Sequence, residues 1–340
     1  MKKSSIKNPM TEYFVPGSYS FIKPEIIKKM GRKFPLMLNL EPTLACNLAC
    51  FFCPSHNKAS EKIDMRTAGM MKWDLYRKII DESAQYGPLL VLNMHKDGES
   101  TLHPKFIDMI RYAKETKAAK VVHFNTNATM RKKEKIDEIL MSGVDDITMS
   151  IDAFYPENYK KTKGVDLLPL VVENVEYFLE KRDSLGLKKP FIRAKMIGLK
   201  TKENEEEFRL FKEYWTPKAD EVQCQEVHNF AGGLDFNRIN KNRYPCEFPF
   251  YSTAVNWNGT VTICHRDFNN KDVFGNVFEQ SIREIYLGEK YQSYLQAMIE
   301  GKEHTLPICA GCDNWKDGPD LGADLTTELN AESIPPLDNN

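Results

Sequence analysis

Between residues 35 and 227, short apolar segments alternate with stretches whose apolar residues recur at helical spacing, and the unit repeats six times. Short β-branched and apolar runs read as strands, whereas longer segments with an apolar residue every three or four positions read as amphipathic helices. The strand candidates are Pro35–Glu41, Leu89–His95, Lys120–Asn125, Asp146–Asp152, Phe191–Ile197 and Glu221–Val227. Helix candidates lie near 73–86, 104–117, 132–142, 169–184 and 203–215, each long enough for a right-handed crossover between parallel strands. Gly87 stands where the first helix would end, and Pro104 where a first helical turn tolerates proline. A parallel sheet is predicted.

Alternation within the strands divides the residues into two faces. One carries Leu36, Leu38, Leu40, Leu90, Leu92, Met94, Ile147, Met149 and Ile151, suited to packing under helices. The other carries Asn39, Glu41, Asn93, His95, His123, Asn125, Thr148, Ser150, Asp152, Arg193, Lys195, Gln223 and Gln225. Parallel sheets normally bury apolar side chains on both faces. A polar face built by six strands therefore predicts a partial (β/α)6 TIM-like barrel, an α/β fold whose lumen holds a polar ligand, because buried polar groups without partners are costly. The plainer alternative is a sheet with one face in solvent.

The rhythm breaks after residue 230. Residues 231–243 are rich in Gly and Asn and read as a linker, 244–315 read as short strands with one helix near 281–300, and the tail beyond 320 is acidic and polar. Residues 1–34 show no clear period. The expected organisation is an extension (1–34), a barrel (35–230), a small C-terminal unit (231–320) and a polar tail (321–340).

Composition narrows the functional classes. A chain of 340 residues can bury a large core without disulfides. No apolar run approaches the roughly 18 residues of a membrane span. Lys+Arg 47 against Asp+Glu 48 removes the generic electrostatic case for binding nucleic acid or an anionic membrane. Arg131, Lys132, Lys133 and Lys135, interrupted by Glu134, read as a solvated helix start. The N-terminal MKKSSIKNPM has no apolar core of a signal peptide, so a cytoplasmic protein is expected, and eight cysteines in a reducing compartment favour metal over disulfides.

Cys46, Cys50 and Cys53 follow the first strand in CxxxCxxC spacing. Four thiolates are the usual complement of a cubane cluster or a structural zinc, so three in one loop leave a metal position open to a ligand. Zinc completed by His56 is the alternative. With Phe52 before the last cysteine, the loop resembles the signature of the radical S-adenosylmethionine (SAM) superfamily. That resemblance implies a 4Fe-4S cluster whose open iron chelates SAM and whose electron cleaves it to a 5′-deoxyadenosyl radical, which takes hydrogen from the substrate. Asp97-Gly98-Glu99 resembles the family's GGE segment, with Glu99 receiving the SAM ammonium and Asp97 replacing the first glycine. Asn125-Thr126-Asn127 and Ser150-Ile151-Asp152 resemble the segments that approach SAM from strands three and four, and Arg193 matches a carboxylate-binding arginine on strand five. A flavodoxin- or ferredoxin-type reductant is implied.

Cys246, Cys264, Cys309 and Cys312 are separated by 17, 44 and 2 residues, with Gly259 five positions before Cys264. This resembles the SPASM extension in its shorter, twitch form, which implies a second, auxiliary 4Fe-4S cluster. The chain has no cysteine after Cys312 to ligate a third. A single zinc is the alternative, although only one tight knuckle is present. A cluster with four cysteines has no open iron and moves electrons. The same spacing resembles that of radical SAM dehydrogenases acting on 2-deoxy-scyllo-inosamine, which implies oxidation of an alcohol in a small polyhydroxylated, sugar- or aminocyclitol-like substrate, with the auxiliary cluster as electron acceptor. Modification of a peptide or protein side chain, by thioether formation, epimerisation or sulfatase-maturase-like oxidation, is the other reading. His228 and Lys195 are the candidate proton acceptors at the lumen, His265 beside Cys264 is expected to tune or shield the auxiliary cluster, and Cys224 is expected to be a buried structural thiol.

Overall fold

The computed structural model describes residues 6–14, 22–23, 26, 33–56, 66–234 and 246–313. The tail 321–340, much of the linker 231–243 and most of the extension 1–34 lie outside the described residues.

Six parallel strands form the predicted sheet: β1 (Met37–Leu40), β2 (Leu89–Asn93), β3 (Ala119–Thr126), β4 (Asp146–Ser150), β5 (Phe191–Gly198) and β6 (Glu221–Glu226). Helices α1 (Trp73–Tyr86), α2 (Phe106–Glu115), α3 (Lys133–Leu140), α4 (Pro156–Lys163), α5 (Leu168–Ser184) and α6 (Lys202–Trp215) connect them. Leu75, Tyr76, Ile79 and Ile80 of α1 and their counterparts pack on Leu38, Leu40, Leu92, Met94, Ile147, Met149 and Ile151, so the apolar strand face is the helix-covered one. The Gly87 amide closes α1 on the Ser83 carbonyl at 2.9 Å, as its position predicts. Pro104, by contrast, lies in the turn ahead of α2, which starts at Phe106. Helix α4 has no counterpart among the predicted helices because its sequence PENYKKTK carries little apolar periodicity. Its limits are set locally, by Pro156 at its start and by Gly164, in the left-handed region at φ 78°, just past its end.

Among the described residues the sheet does not close: it runs β6-β5-β4-β3-β2-β1 and continues past β1 through three further strands. After the short helix α7 (Phe248–Tyr251), strand β7 (Ser252–Val255) runs parallel to β1, and β8 (Thr260–Thr262) and β9 (Val273–Asn276) add antiparallel. The C-terminal unit is thus joined to the barrel through one continuous sheet. Gly259, at φ 81°, makes the β7–β8 turn, with its amide bonded to the Asn256 carbonyl at 2.9 Å. The single helix predicted near 281–300 is two, α8 (Ile282–Leu287) and α9 (Glu289–Ile299), divided at Gly288.

Strand register stacks the inner face in rows. Met37, Val91 and Val121 align in the lowest row, followed by Asn39, Asn93, His123 and Asp146, then Asn125, Thr148, Arg193 and Glu221, then Ser150, Lys195 and Gln223. The inner face is therefore apolar at its base. Leu36 and Leu90, expected under the helices, join Met37, Val91 and Val121 in a plug with Met10, Phe14, Ile22, Phe248 and Tyr251. Part of the unassigned extension thereby seals the bottom of the barrel, leaving the polar rows to open toward the strands' C-terminal ends.

Candidate functional site

The loop after β1 carries Cys46, Cys50 and Cys53, all partly exposed. Two neighbouring segments hold it. The Glu99 amide donates to the Ala45 carbonyl at 2.9 Å, and a Cβ at Gly98 would stand 2.1 Å from the Thr43 carbonyl oxygen, so only glycine allows this approach. On the other side, the Ala49 and Phe51 amides donate to the Lys163 and Thr162 carbonyls at 3.2 and 3.1 Å. Helix α4 is thus a buttress of the cysteine loop.

Glu99 is buried and accepts four hydrogen bonds: from the Thr101 amide (3.2 Å) and hydroxyl (2.6 Å), the Thr126 hydroxyl (2.8 Å) and the Asn127 amide (2.7 Å). Three of these fall on Oε1, which leaves Oε2 with capacity for a further donor. Asn127 Nδ2 donates to Asn47 Oδ1 at 2.9 Å, tying the end of β3 to the cysteine loop. Asn125 accepts from the His123 ring at 3.0 Å. Asp152, just past β4, sits at φ 63° with Oδ2 bound to the Lys163 ammonium and Oδ1 without a partner among the described residues. That ammonium also lies 5.6 Å from the Phe52 ring centroid. Lys163, which sequence reasoning passed over, is therefore buried between Asp152 and the cysteine loop; its only sequence signal is its place before Gly164.

Asp97 accounts for its departure from the glycine pattern. Its Oδ2 binds Arg66 at 2.8 Å and also binds Lys96. Arg66 makes a two-pronged contact with Glu41 at 2.8 and 2.9 Å and reaches the Phe268 carbonyl at 2.6 Å, while Lys96 reaches the Asp267 carbonyl at 2.9 Å. One buried ionic network thus joins the N-terminal site to the loop after Cys264. His56, the alternative zinc ligand, has its Nε2 at 3.0 Å from the Asp97 carbonyl oxygen.

Across that network, Cys246, Cys264, Cys309 and Cys312 pack together against Ile263, Tyr291, Leu306 and Ile308. Burial pushes the Cys46 and Cys264 thiols up to about 11 and raises those of Cys50, Cys53, Cys246 and Cys309. Ionising such thiols requires a cationic centre among them. Three or four thiolates in one set suit a cubane, which takes one thiolate per iron. The N-terminal set fits with three thiols, and the C-terminal set with four.

A family model described as the radical SAM superfamily matches residues 40–213, and one described as an iron-sulfur cluster-binding domain, SPASM, matches residues 246–313. The chain belongs to the radical SAM superfamily. A radical SAM enzyme uses a 4Fe-4S cluster and SAM, and the SPASM match adds auxiliary iron–sulfur chemistry. The chain is 25% identical over 320 residues to the tungsten-containing aldehyde ferredoxin oxidoreductase cofactor-modifying protein of Pyrococcus furiosus, covering 81% of this chain and 86% of that one. It is 30% identical over 157 residues to the SAM-dependent 2-deoxy-scyllo-inosamine dehydrogenase of Niallia circulans, covering 43% of this chain and 60% of that one. The fold resembles BtrN crystallised with AdoMet and 2-DOIA, at a TM-score of 0.57 and 20% identity, covering 84% of this chain and 95% of that one. Among the described residues no helix is long and apolar enough to cross a membrane.

Several expectations within this radical SAM site need revision. Arg193 is spent inside the wall: its guanidinium binds Asp146 at 2.9 and 3.1 Å, Thr148 at 3.1 Å and Glu221 at 3.1 Å, one row below Lys195, so it is a structural tie rather than an open carboxylate receptor. Cys224 is exposed, not buried, because β6 is the sheet's edge strand. His228 packs against Phe230 at 4.2 Å between ring centroids, and the next residue, Asn229, bonds to Asp313 and the Gly311 carbonyl. Lys135, read as solvated, reaches the Thr101 carbonyl beside Glu99. Lys195 does face the lumen, level with Ser150, and contacts Gln225 at 3.2 Å; desolvation lowers its pKa from the ordinary lysine range. His95, placed on the inner face but not singled out by sequence, lies 5.2 Å from His123 between ring centroids; burial pushes its pKa well below the usual histidine value, and its Nδ1 has no partner among the described residues.

Proposed function

We propose that the enzyme oxidises an alcohol carbon of a small polyhydroxylated molecule bound in the barrel lumen between the two cysteine sites. In this reading the barrel, residues 35–230, holds a 4Fe-4S cluster on Cys46, Cys50 and Cys53, and residues 231–320 hold one auxiliary 4Fe-4S cluster on Cys246, Cys264, Cys309 and Cys312. When bound, these groups supply SAM cleavage to a hydrogen-abstracting radical at the first site and an electron acceptor at the second. Glu99 Oε2, Asn125, Asn127, Ser150 and Asp152 position SAM, and Phe52 and Lys163 shape the loop around it. Lys195 takes the substrate hydroxyl proton: with its charged form disfavoured by desolvation, it has an amine closer to the working range of a general base. His95, kept neutral by burial, accepts a hydrogen bond from the same substrate.

The carrying observation is the polar lumen with Lys195 in its uppermost row, level with Ser150, together with four cysteines for one auxiliary site. A flavodoxin- or ferredoxin-type protein supplies the first electron, and oxygen-labile clusters on free thiols suit the reducing cytoplasm. The similarity to the Pyrococcus cofactor-modifying protein spans more of the chain than that to the dehydrogenase, and favours, as second reading, modification of a small polar cofactor in the same lumen.

The test is anaerobic reconstitution, reduction, and incubation with SAM and carbon-deuterated aminocyclitols and sugars. Deuterium in 5′-deoxyadenosine together with a ketone product supports the reading. Deoxyadenosine without deuterium or ketone across the panel rejects the substrate class, and absence of deoxyadenosine rejects the chemistry altogether.

A further inference from the structure

Arg266 follows Cys264 by two positions and is buried, at 9% exposure, on the loop that Arg66 and Lys96 anchor. Its Nε and Nη1 have no hydrogen-bond partner among the described residues. A guanidinium carries five N–H donors and is ordinarily buried only when carboxylates or carbonyls receive them. Leaving two unmet in a folded interior is costly, so the orphaned donors point to an acceptor that belongs there. The Arg266 backbone amide donates to Cys264 Sγ at 3.4 Å, which ties this residue to the auxiliary cysteine site.

We infer that Arg266 turns its charge and its two unpartnered N–H groups on the iron–sulfur cluster held by Cys246, Cys264, Cys309 and Cys312, and thereby raises that cluster's reduction potential. This rests on the reading that these cysteines hold an auxiliary cluster. Taking up one electron makes such a cluster more negative by one unit. A buried cation, and donors to its sulfurs, stabilise the reduced form more than the oxidised one. In the proposed oxidation, the substrate radical loses one electron to this acceptor and its hydroxyl proton to Lys195, and the ketone remains. A higher potential favours that transfer.

The test uses the full chain carrying Cys46→Ala, Cys50→Ala and Cys53→Ala, so that only the auxiliary site can load iron, with midpoint potential read by electron paramagnetic resonance during redox titration. Arg266→Gln and Arg266→Met remove the charge, and Arg266→Lys keeps it. The neutral variants are expected to shift the reduction equilibrium about tenfold toward the oxidised form, about 59 mV for a one-electron couple, with the lysine variant recovering most of the shift. Full iron loading with an unmoved potential in either neutral variant overturns the inference. If neither neutral variant loads iron while the lysine variant loads it at the parental potential, the requirement for a cation there is upheld; a lysine variant as empty as the neutral ones overturns it. Absence of iron in the parent removes the cluster assignment and the inference together, an outcome distinct from a loaded cluster with unmoved potential.

Discussion

Replacing Lys163 with methionine tests whether the buried Lys163–Asp152 pair holds the cysteine loop. Both side chains are almost fully buried, at 3% and 2% exposure, and Asp152 Oδ1 already lacks a partner among the described residues. Lys163→Met therefore leaves a buried carboxylate without its bonded cation. Breaking a buried pair by removing one member costs about 3–5 kcal/mol, because the stranded charge keeps its desolvation penalty. That is a large share of a typical 5–15 kcal/mol domain stability. Burial, the largest single effect, lowers the lysine's pKa, but Asp152, Cys50 and Tyr159 together outweigh it and the net shift is upward. A lysine so raised stabilises the fold at all pH values below its unfolded value of 10.5, and the contribution fades only as pH rises through the still higher folded value. The deficit of Lys163→Met should accordingly be constant from pH 6 to 9. Urea unfolding of the apoprotein, kept reduced and followed by circular dichroism, measures it. Adding Asp152→Asn should recover most of the loss, since the pair is then replaced rather than broken. A deficit under about 1 kcal/mol, the size of an exposed ion pair, or a double variant no more stable than the single one, refutes the reasoning.

Asp146 is held below the ordinary carboxylate range because Arg193, then His123, outweigh its burial; its stabilisation is present above its unfolded value of 3.8 and fades as pH falls through the lower folded value. Asp146→Asn should lose about 3 kcal/mol or more at pH 7 and show a shallower acid limb than wild type in urea unfolding between pH 3 and 5. Gly98→Ala should abolish iron loading at the N-terminal site while sparing the other, halving the iron content, since its Cβ would meet the Thr43 carbonyl at 2.1 Å. Cys224→Ser should leave iron content and deoxyadenosine formation unchanged, because the thiol lies exposed on the edge strand; a loss of either would give that cysteine a part in the chemistry.

How far the sequence reveals the molecule depends on how local each cause is. The six strands and five of the connecting helices are legible because each packs an apolar face at its own period, and the register then lines Asn93, His123, Thr148, Arg193 and Lys195 along one wall. Helix α4 is not legible: its stability comes from its end signals and from bonds to the cysteine loop, neither of which leaves an apolar stripe. Alternation assigns Arg193 to the correct wall but says nothing of what occupies it. Its partners Asp146 and Glu221 lie 47 and 28 residues away in the chain, and only the fold brings them within 3.1 Å. The union of barrel and C-terminal unit is likewise a pairing of β1 with β7 across more than 200 positions of sequence.

Asp97 shows what such long-range pairing adds to a short motif. Where the GGE motif that this segment resembles has glycine, this chain places a carboxylate that binds Arg66 and Lys96, and those two cations reach the carbonyls of Phe268 and Asp267, next to Arg266. The backbone freedom needed at this turn is supplied by Gly98, so Asp97 serves the connection rather than the turn. Restoring the family pattern by Asp97→Gly should therefore leave the N-terminal cysteines able to load iron but loosen residues 266–272 of the auxiliary loop. Lys96 would keep only the Asp267 carbonyl, whereas Arg66 retains Glu41. Losing even a third of a typical buried-pair energy, about 1.4 kcal/mol, raises local opening about tenfold. Amide hydrogen exchange over that segment should quicken by at least this factor, with exchange in α5 and β4 unchanged. Unchanged exchange in 266–272 would mean that the two sites are held by the shared sheet alone, and that the ionic network contributes nothing to their alignment.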